Sequence, residues 1–204
     1  MTEHEHKVQG TPSLCIQYVN GSLLEVVREL FSSPDNVFDF NAKRYTWTGD
    51  SKTSTILIET NLMWKPEDIQ KRPAVLVKRG NWAFSVLGLG NQTQFVEHEG
   101  YVELEGCAML KGGHSFMCLG TTQTEAEIIA SEVNSYLLAF QHLIMDRLCV
   151  GRFFLAGVSE AKKFEESKEH FVVQVDVIYE SQLSWYVSRQ TPYWRKVSLD
   201  TIAT

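Results

Sequence analysis

The sequence predicts an α+β fold in which helices cover one face of a largely antiparallel sheet. One long segment alternates apolar and polar residues, another carries an apolar stripe at helical spacing, and shorter alternating segments lie between Gly- and Pro-containing turns. A period of two is typical of a strand, and a period of 3.6 is typical of a helix. The chain has 204 residues, which suits one domain with a sizeable core. We predict a flexible N-terminal arm over residues 1–12 and a single domain over residues 13–204 with a protruding C-terminal strand.

A first helix is predicted over about residues 22–33. Ser22 and Glu25 have the spacing of a capping box, in which each side chain satisfies a backbone N–H at the start of a helix. The apolar residues that follow at helical intervals are Leu23, Val26, Val27, Leu30 and Phe31. Pro34 ends the helix, because proline disfavours helical geometry at the preceding residue.

The middle of the chain is rich in predicted strands. The alternating or apolar segments lie at residues 55–59, 73–79, 82–87, 101–110 and 114–119. Gly112 and Gly113 separate the last two segments, and a Gly-Gly pair is typical of a two-residue hairpin turn. We therefore predict a hairpin there.

A second, long helix is predicted over about residues 124–148, on the same sheet face as the first. Its apolar stripe consists of Ile129, Val133, Tyr136, Leu137, Phe140, Leu143, Ile144 and Leu148. Polar residues, among them Glu132, fall on the other side. The stripe predicts that Phe140 is a core residue and that Glu132 faces solvent.

The C-terminal region is predicted to form a long β-hairpin. Between residues 171 and 187 the apolar positions are Phe171, Val173, Val175, Val177, Tyr179, Leu183, Trp185 and Val187, interrupted only by Ser181. A single strand of this length extends about 55 Å, whereas a domain of this size measures about 35–40 Å across. Either the segment bends near residues 180–182 into two strands, or its distal half packs on a neighbouring subunit.

The distal half also holds the residue types that dominate protein interfaces, namely Trp, Tyr and Arg. The candidate subunit interface consists of Leu183, Trp185, Tyr186, Val187, Arg189 and Trp194. The alternative is that these aromatic residues cap a twisted strand within one core.

The sequence does not predict a catalytic, cofactor-binding or metal-binding site. Residues 113–117 begin like a nucleophile elbow around Ser115, but Met117 stands where that motif requires glycine. His114 and Cys118 lie about 13 Å apart along a strand, too far for a thiolate–imidazole pair. We therefore predict that the protein is not an enzyme.

Charge and cysteine content narrow the class of protein further. The net charge of −6 argues against a surface that grips nucleic acid. The four cysteines are widely spaced, as in a protein with reduced thiols. The first residues lack the apolar region of a secretory signal, and no apolar run is long enough to cross a bilayer. We expect a soluble protein that stays in the compartment of its synthesis.

Two stretches carry a resemblance to a known family: Arg-Pro-Ala-Val-Leu-Val-Lys-Arg-Gly at residues 72–80 and Tyr-Glu-Ser-Gln-Leu-Ser-Trp-Tyr-Val at residues 179–187. With the order of helices and strands over residues 20–200, they resemble the neck and tail-completion proteins of tailed bacteriophages, especially the tail terminator group. The resemblance implies a non-catalytic virion protein that forms a homo-oligomeric ring, a hexamer, made in the host cytoplasm. Its implied partners are the tail tube protein and the head connector, and DNA passes through the ring without sequence-specific binding.

Other assignments are compatible with the same residues. A head-completion or collar protein of the same neck shares this layout. A small cytosolic ligand-binding or enzyme domain would need a pocket between helix 124–148 and the sheet, lined by converging polar side chains. A cytosolic adaptor with a single partner is a further alternative. The mass of the assembled protein distinguishes a ring from these alternatives.

Overall fold

The computed structural model describes residues 16–62, 72–86, 92–98, 101–165, 167 and 169–189, and the side chains of residues 17–62, 72–85, 107–165, 167 and 169–183. The helices are α1 (Ile16–Leu30), α2 (Gln123–Ala139) and α3 (Gln141–Leu148), with short 3₁₀ helices at Pro34–Asn36 and Ala42–Arg44. The strands are β1 (Leu57–Thr60), β2 (Ala74–Arg79), β3 (Ala83–Val86), β4 (Gln92–His98), β5 (Tyr101–Gly120), β6 (Arg152–Val158), β7 (Lys162–Lys163) and β8 (Phe171–Arg189).

The strands form a mostly antiparallel sheet, which confirms the predicted fold class. Its order is β1-β2-β5-β8-β6, with β3 and β4 paired to β5 and β7 paired to β8. β1 and β2 run parallel, whereas β2 with β5, β4 with β5, β6 with β8 and β7 with β8 run antiparallel. Within the described residues, no helix is long and apolar enough to span a membrane.

Backbone contacts divide the chain into two compact units. The larger comprises residues 14–83 and 110–181, and it contains the three helices, β1, β2, β6 and β7. The smaller comprises residues 1–13, 84–109 and 182–204, and it contains β4. The single domain predicted over residues 13–204 and the arm over residues 1–12 stay predictions, the arm lying outside the described residues.

The main core of the larger unit lies between the helices and one face of the sheet. The helices contribute Leu23, Leu30, Ile129, Val133, Ile144 and Leu148 to this core. The sheet contributes Ile58, Val77, Phe116, Phe153, Val175 and Val177. Alternate residues of one strand point to opposite faces. The strands therefore place a second, smaller cluster on the other face, made of Leu57, Ala74, Leu76, Met117, Leu119 and Phe164. Among the described residues, that second cluster contains no helical residue.

The first helix begins earlier than predicted. Ser22 is buried in its middle, and Val19 extends the apolar stripe by one turn towards the N-terminus. The helix ends at Leu30, and Ser33 caps the 3₁₀ helix that begins at Pro34.

The long second helix is interrupted, and this changes which of its residues are buried. It is capped by the side chain of Thr122, which accepts a hydrogen bond from the N–H of Glu125 at 3.2 Å. It breaks at Phe140, which leaves helical geometry. The prediction for Phe140 is wrong, because this side chain is 39% exposed at the break. The prediction for Glu132 is also wrong, because that side chain is buried.

The hairpin predicted at Gly112 and Gly113 is wrong as well, because β5 runs through both residues to Gly120. The two glycines do not form a turn. They allow β5 and β8 to approach each other closely. A Cβ atom at Gly112 would lie 2.5 Å from a ring carbon of Tyr179, and one at Gly113 would lie 3.1 Å from the carbonyl oxygen of Val177. Both contacts are to β8, the neighbour of β5 in the sheet.

Candidate interaction surfaces

The candidate interface predicted from sequence lies at the end of β8. Residues 171–189 form one continuous strand, so the segment does not divide into two at residues 180–182. Its first half follows the predicted alternation, with Val173, Val175, Val177 and Tyr179 buried against the helices. Leu183 is half-buried. The backbone of Trp185, Tyr186, Val187 and Arg189 belongs to β8, their side chains lie outside the described ones, and Trp194 lies outside the described residues.

Tyr179 is the centre of an aromatic cluster with the buried His114 and the partly buried Trp82. The indole N–H of Trp82 donates to the Tyr179 hydroxyl at 2.7 Å, and the two rings meet edge to face with centroids 6.4 Å apart. The centroids of the His114 and Tyr179 rings are 5.7 Å apart. The missing side chain of Gly112 leaves the space that the Tyr179 ring occupies.

His114 is unusual because both of its ring nitrogens are buried without a hydrogen-bond partner. Burial, together with the smaller effect of the positive charge of Arg79, lowers the pKa of His114 to about 4. Burial also raises the pKa of Tyr179 to about 12. His114 is therefore a neutral packing residue at pH 7.

The two other residues singled out in the sequence, Ser115 and Cys118, do not combine with His114 into a catalytic site. Ser115 donates to the Asp176 carboxylate at 2.5 Å, on the sheet face opposite to that of its neighbour His114. Cys118 is fully buried, and burial raises the pKa of its thiol. Among the described residues, no group of three or more His, Cys, Asp or Glu side chains is placed to hold a metal ion.

Sequence reasoning missed the loop that follows α1. We call residues 33–41 the aromatic loop. Here Phe38 is 72% exposed and Phe40 is 86% exposed, while the smaller Val37 and Ala42 beside them are buried in the main core. Exposing two phenylalanines costs about 1.5–3 kcal/mol each relative to burying them. The two exposed phenylalanines make this loop a candidate interaction surface.

The buried carboxylate of Glu132 on α2 holds this loop in place. Its two oxygens accept hydrogen bonds from the backbone N–H of Phe38 at 2.9 Å and of Asp39 at 2.8 Å. Glu125 lies seven residues earlier, about two turns away on the same face of α2, and accepts a hydrogen bond from the hydroxyl of the buried Tyr45. The chain on both sides of Phe40 is thus fixed to one helix, and the two phenylalanines are held in position.

A second partly exposed apolar surface lies on the sheet face that the helices do not cover. Phe154 of the edge strand β6 pairs with Ile178 of β8, and both side chains are partly exposed. Beside them, Glu180 lies between Arg152 at 3.5 Å and Lys111 at 3.6 Å. We call Phe154, Ile178, Lys111 and Arg152 the open face.

Comparison with family models and with curated proteins finds no match for this chain.

Replacing Glu132 by alanine is expected to lower the free energy of unfolding by about 2 kcal/mol. The change removes two hydrogen bonds to the aromatic loop, and each such bond contributes about 1 kcal/mol. The matched control is Glu127→Ala, an exposed position of the same helix, with an expected change under about 0.5 kcal/mol. Urea denaturation followed by circular dichroism measures both. Equal stabilities of the two variants would show that Glu132 does not hold the loop.

Proposed function

We propose that this protein is a structural subunit of the neck of a tailed bacteriophage. In this proposal, copies of the chain form a ring, a hexamer, that terminates the tail tube and joins the tail to the head connector. DNA passes through the ring without sequence-specific contacts, which agrees with the net charge of −6. The protein then belongs in the virion, after assembly in the host cytoplasm.

The observation that carries the proposal is the continuous strand β8. It is a single strand of 19 residues, and beyond Ser181 it passes from the larger compact unit into the smaller one. A long strand whose end lies beyond the main core can supply a subunit interface by adding to the sheet edge of a neighbour. Trp185, in the distal part of this strand, is the residue type most enriched at interface hot spots.

The assignment to a phage neck rests on the sequence resemblance. The two stretches that carry it lie in strands of one sheet: residues 74–79 form β2, and residues 179–187 form part of β8. A closed ring repeats one interface in which two different patches of each subunit meet. The end of β8 supplies one such patch in this proposal.

Replacing Trp185 by aspartate is expected to leave the subunit folded and to dissociate the ring. Losing the burial of this side chain removes on the order of 2–3 kcal/mol per interface, which raises the concentration for half-assembly at least about thirtyfold. Sedimentation velocity over a concentration series measures assembly, and circular dichroism measures folding. The control is Leu62→Asp, the same kind of change at a residue that is 93% exposed.

Two outcomes would count against the proposal. A Trp185→Asp subunit that is unfolded places Trp185 in the core of its own subunit. A folded variant that assembles as well as the Leu62→Asp control shows that the end of β8 does not join subunits.

A further inference from the structure

We infer that the aromatic loop of one subunit docks on the open face of the next copy of this chain. The inference rests on the proposed function: in addition to the end of β8, it gives the repeated interface of the ring two further patches that meet between neighbouring copies. The loop provides the protruding side chains Phe38 and Phe40, and the open face provides an apolar surface around Phe154.

The aromatic loop has the properties of a preformed binding element. Its exposed phenylalanines are flanked by buried residues on both sides, and Glu132 holds the backbone at Phe38 and Asp39. The Asp39 carboxylate also accepts a hydrogen bond from the N–H of Asn41 at 2.6 Å. A loop fixed before binding loses little conformational entropy when it docks, and this favours affinity.

The open face complements this loop in polarity. It lies on the sheet face opposite to the helix-covered core, and Phe154 is 37% exposed there. Bulky aromatic side chains need an apolar surface of this kind, and the edge position of β6 leaves it accessible from the side.

The two patches also complement each other in charge. The segment 33–41 carries Asp35 and Asp39 and contains no basic residue. At the open face the side chains of Arg152 and Lys111 are 76% and 55% exposed, whereas their shared partner Glu180 is only 21% exposed. The outermost groups of the open face are therefore cationic. Complementary charges of this kind set the register of an interface.

The positions of the patches determine the type of assembly. Val37 and Ala42, beside the exposed phenylalanines, belong to the core between helices and sheet, while Phe154 lies on the other face of the same sheet. Two different patches on opposite sides of one unit make a head-to-tail contact. Such contacts generate rings when the rotation between subunits closes.

Cross-linking of mixed variants tests the contact directly. One protein carries Phe40→Cys and the other Phe154→Cys, each in a Cys15→Ser and Cys149→Ser background that leaves the buried Cys107 and Cys118 unchanged. After oxidation of the mixture we expect a disulfide-linked dimer that contains one copy of each variant, at a yield at least tenfold above that of either variant alone. Peptide mapping by mass spectrometry identifies the joined residues.

A non-covalent measurement complements the cross-link. The double variant Phe38→Ser and Phe40→Ser is expected to raise the concentration for half-assembly at least tenfold, whereas Leu143→Ser, a change at another exposed apolar residue, leaves it unchanged. Circular dichroism establishes that both variants are folded.

The outcomes separate this inference from the proposed function. If the unmodified chain forms a ring but the mixture gives no specific cross-link and the double variant assembles normally, the docking inference is wrong and the ring stands. If the double variant forms rings in solution but these rings are not incorporated into virions, the aromatic loop contacts a different virion protein. That outcome also overturns the inference. If the unmodified chain is monomeric at every concentration, both proposals fail.

Discussion

Replacing Gly112 by alanine is expected to lower the free energy of unfolding by about 3 kcal/mol or more. The added Cβ atom would lie 2.5 Å from the Tyr179 ring, closer than real carbon contacts allow. The Tyr179 ring is fully buried and hydrogen-bonded to Trp82, so it cannot move aside without breaking that bond. Overpacking a well-packed core costs about 1–3 kcal/mol, occasionally more. Urea denaturation monitored by tryptophan fluorescence measures the change.

The matched control is Gly157→Ala, another glycine within a strand of the same sheet. A Cβ atom there meets nothing within 4 Å, so the protein is expected to keep its stability or gain slightly. If Gly112→Ala is as stable as Gly157→Ala, then β5 and β8 do not pack as closely as described, and the hairpin predicted at Gly112 and Gly113 would have to be reconsidered.

Lowering the pH from 7 to 4 is expected to cost about 3 kcal/mol of stability through His114 alone. Its pKa is about 4 in the folded protein, against 6.5 for an unperturbed histidine. Between these values the unfolded chain binds a proton that the folded protein does not, so stability rises with pH through this window and falls as the solution is acidified. A pKa difference of this size between the folded and unfolded chain corresponds to about 3 kcal/mol of folding stability.

The variant His114→Leu isolates this contribution, because leucine does not titrate. Stability measured by urea denaturation at pH 7 and at pH 4 should fall by about 3 kcal/mol less in the variant than in the unmodified protein. Titration of His170, whose pKa burial also lowers, occurs in both proteins and cancels in the comparison. An equal loss of stability in the two proteins would mean that His114 is not held neutral in the core.

Where local pattern and tertiary packing agree, the sequence predicts the structure well. The apolar positions of residues 171–181 match the side chains of β8 that are buried. The reason is that β8 lies between β5 and β6 in the sheet, with one face towards the helices. The apolar run of residues 74–77 is likewise a fully buried strand. Such runs predict strands reliably since both faces must be covered.

The errors arise where a residue responds to a part of the chain that is distant in sequence. Glu132 looks like a solvent-facing residue because its partners at Phe38 and Asp39 lie more than ninety residues earlier. Gly112 looks like a turn because nothing in its own segment reveals the Tyr179 ring. The break at Phe140 rotates the helical stripe, and this turns Phe140 and Leu143 towards solvent.

Of the candidate interaction surfaces, the end of β8 could be predicted from the sequence and the aromatic loop could not. Trp185 and its neighbours draw attention through residue type and spacing, which are visible in the sequence. The aromatic loop was missed because Phe38 and Phe40 have the composition of core residues, and only the structure shows that they point outward. The sequence contains a signal for it: Pro34 disfavours helical structure before it, and Phe38-Asp39-Phe40 places two phenylalanines on either side of an acidic residue.

Native mass spectrometry of the unmodified chain tests the central claim most directly. The ring proposal predicts a closed assembly of six copies, with no series of larger multiples, because a head-to-tail interface that closes leaves no free patch. The assembly should persist at moderate salt if apolar contacts at the end of β8 and at Phe40 hold it together. A chain that remains a monomer at tens of micromolar, or that forms only a symmetric dimer, would contradict the account.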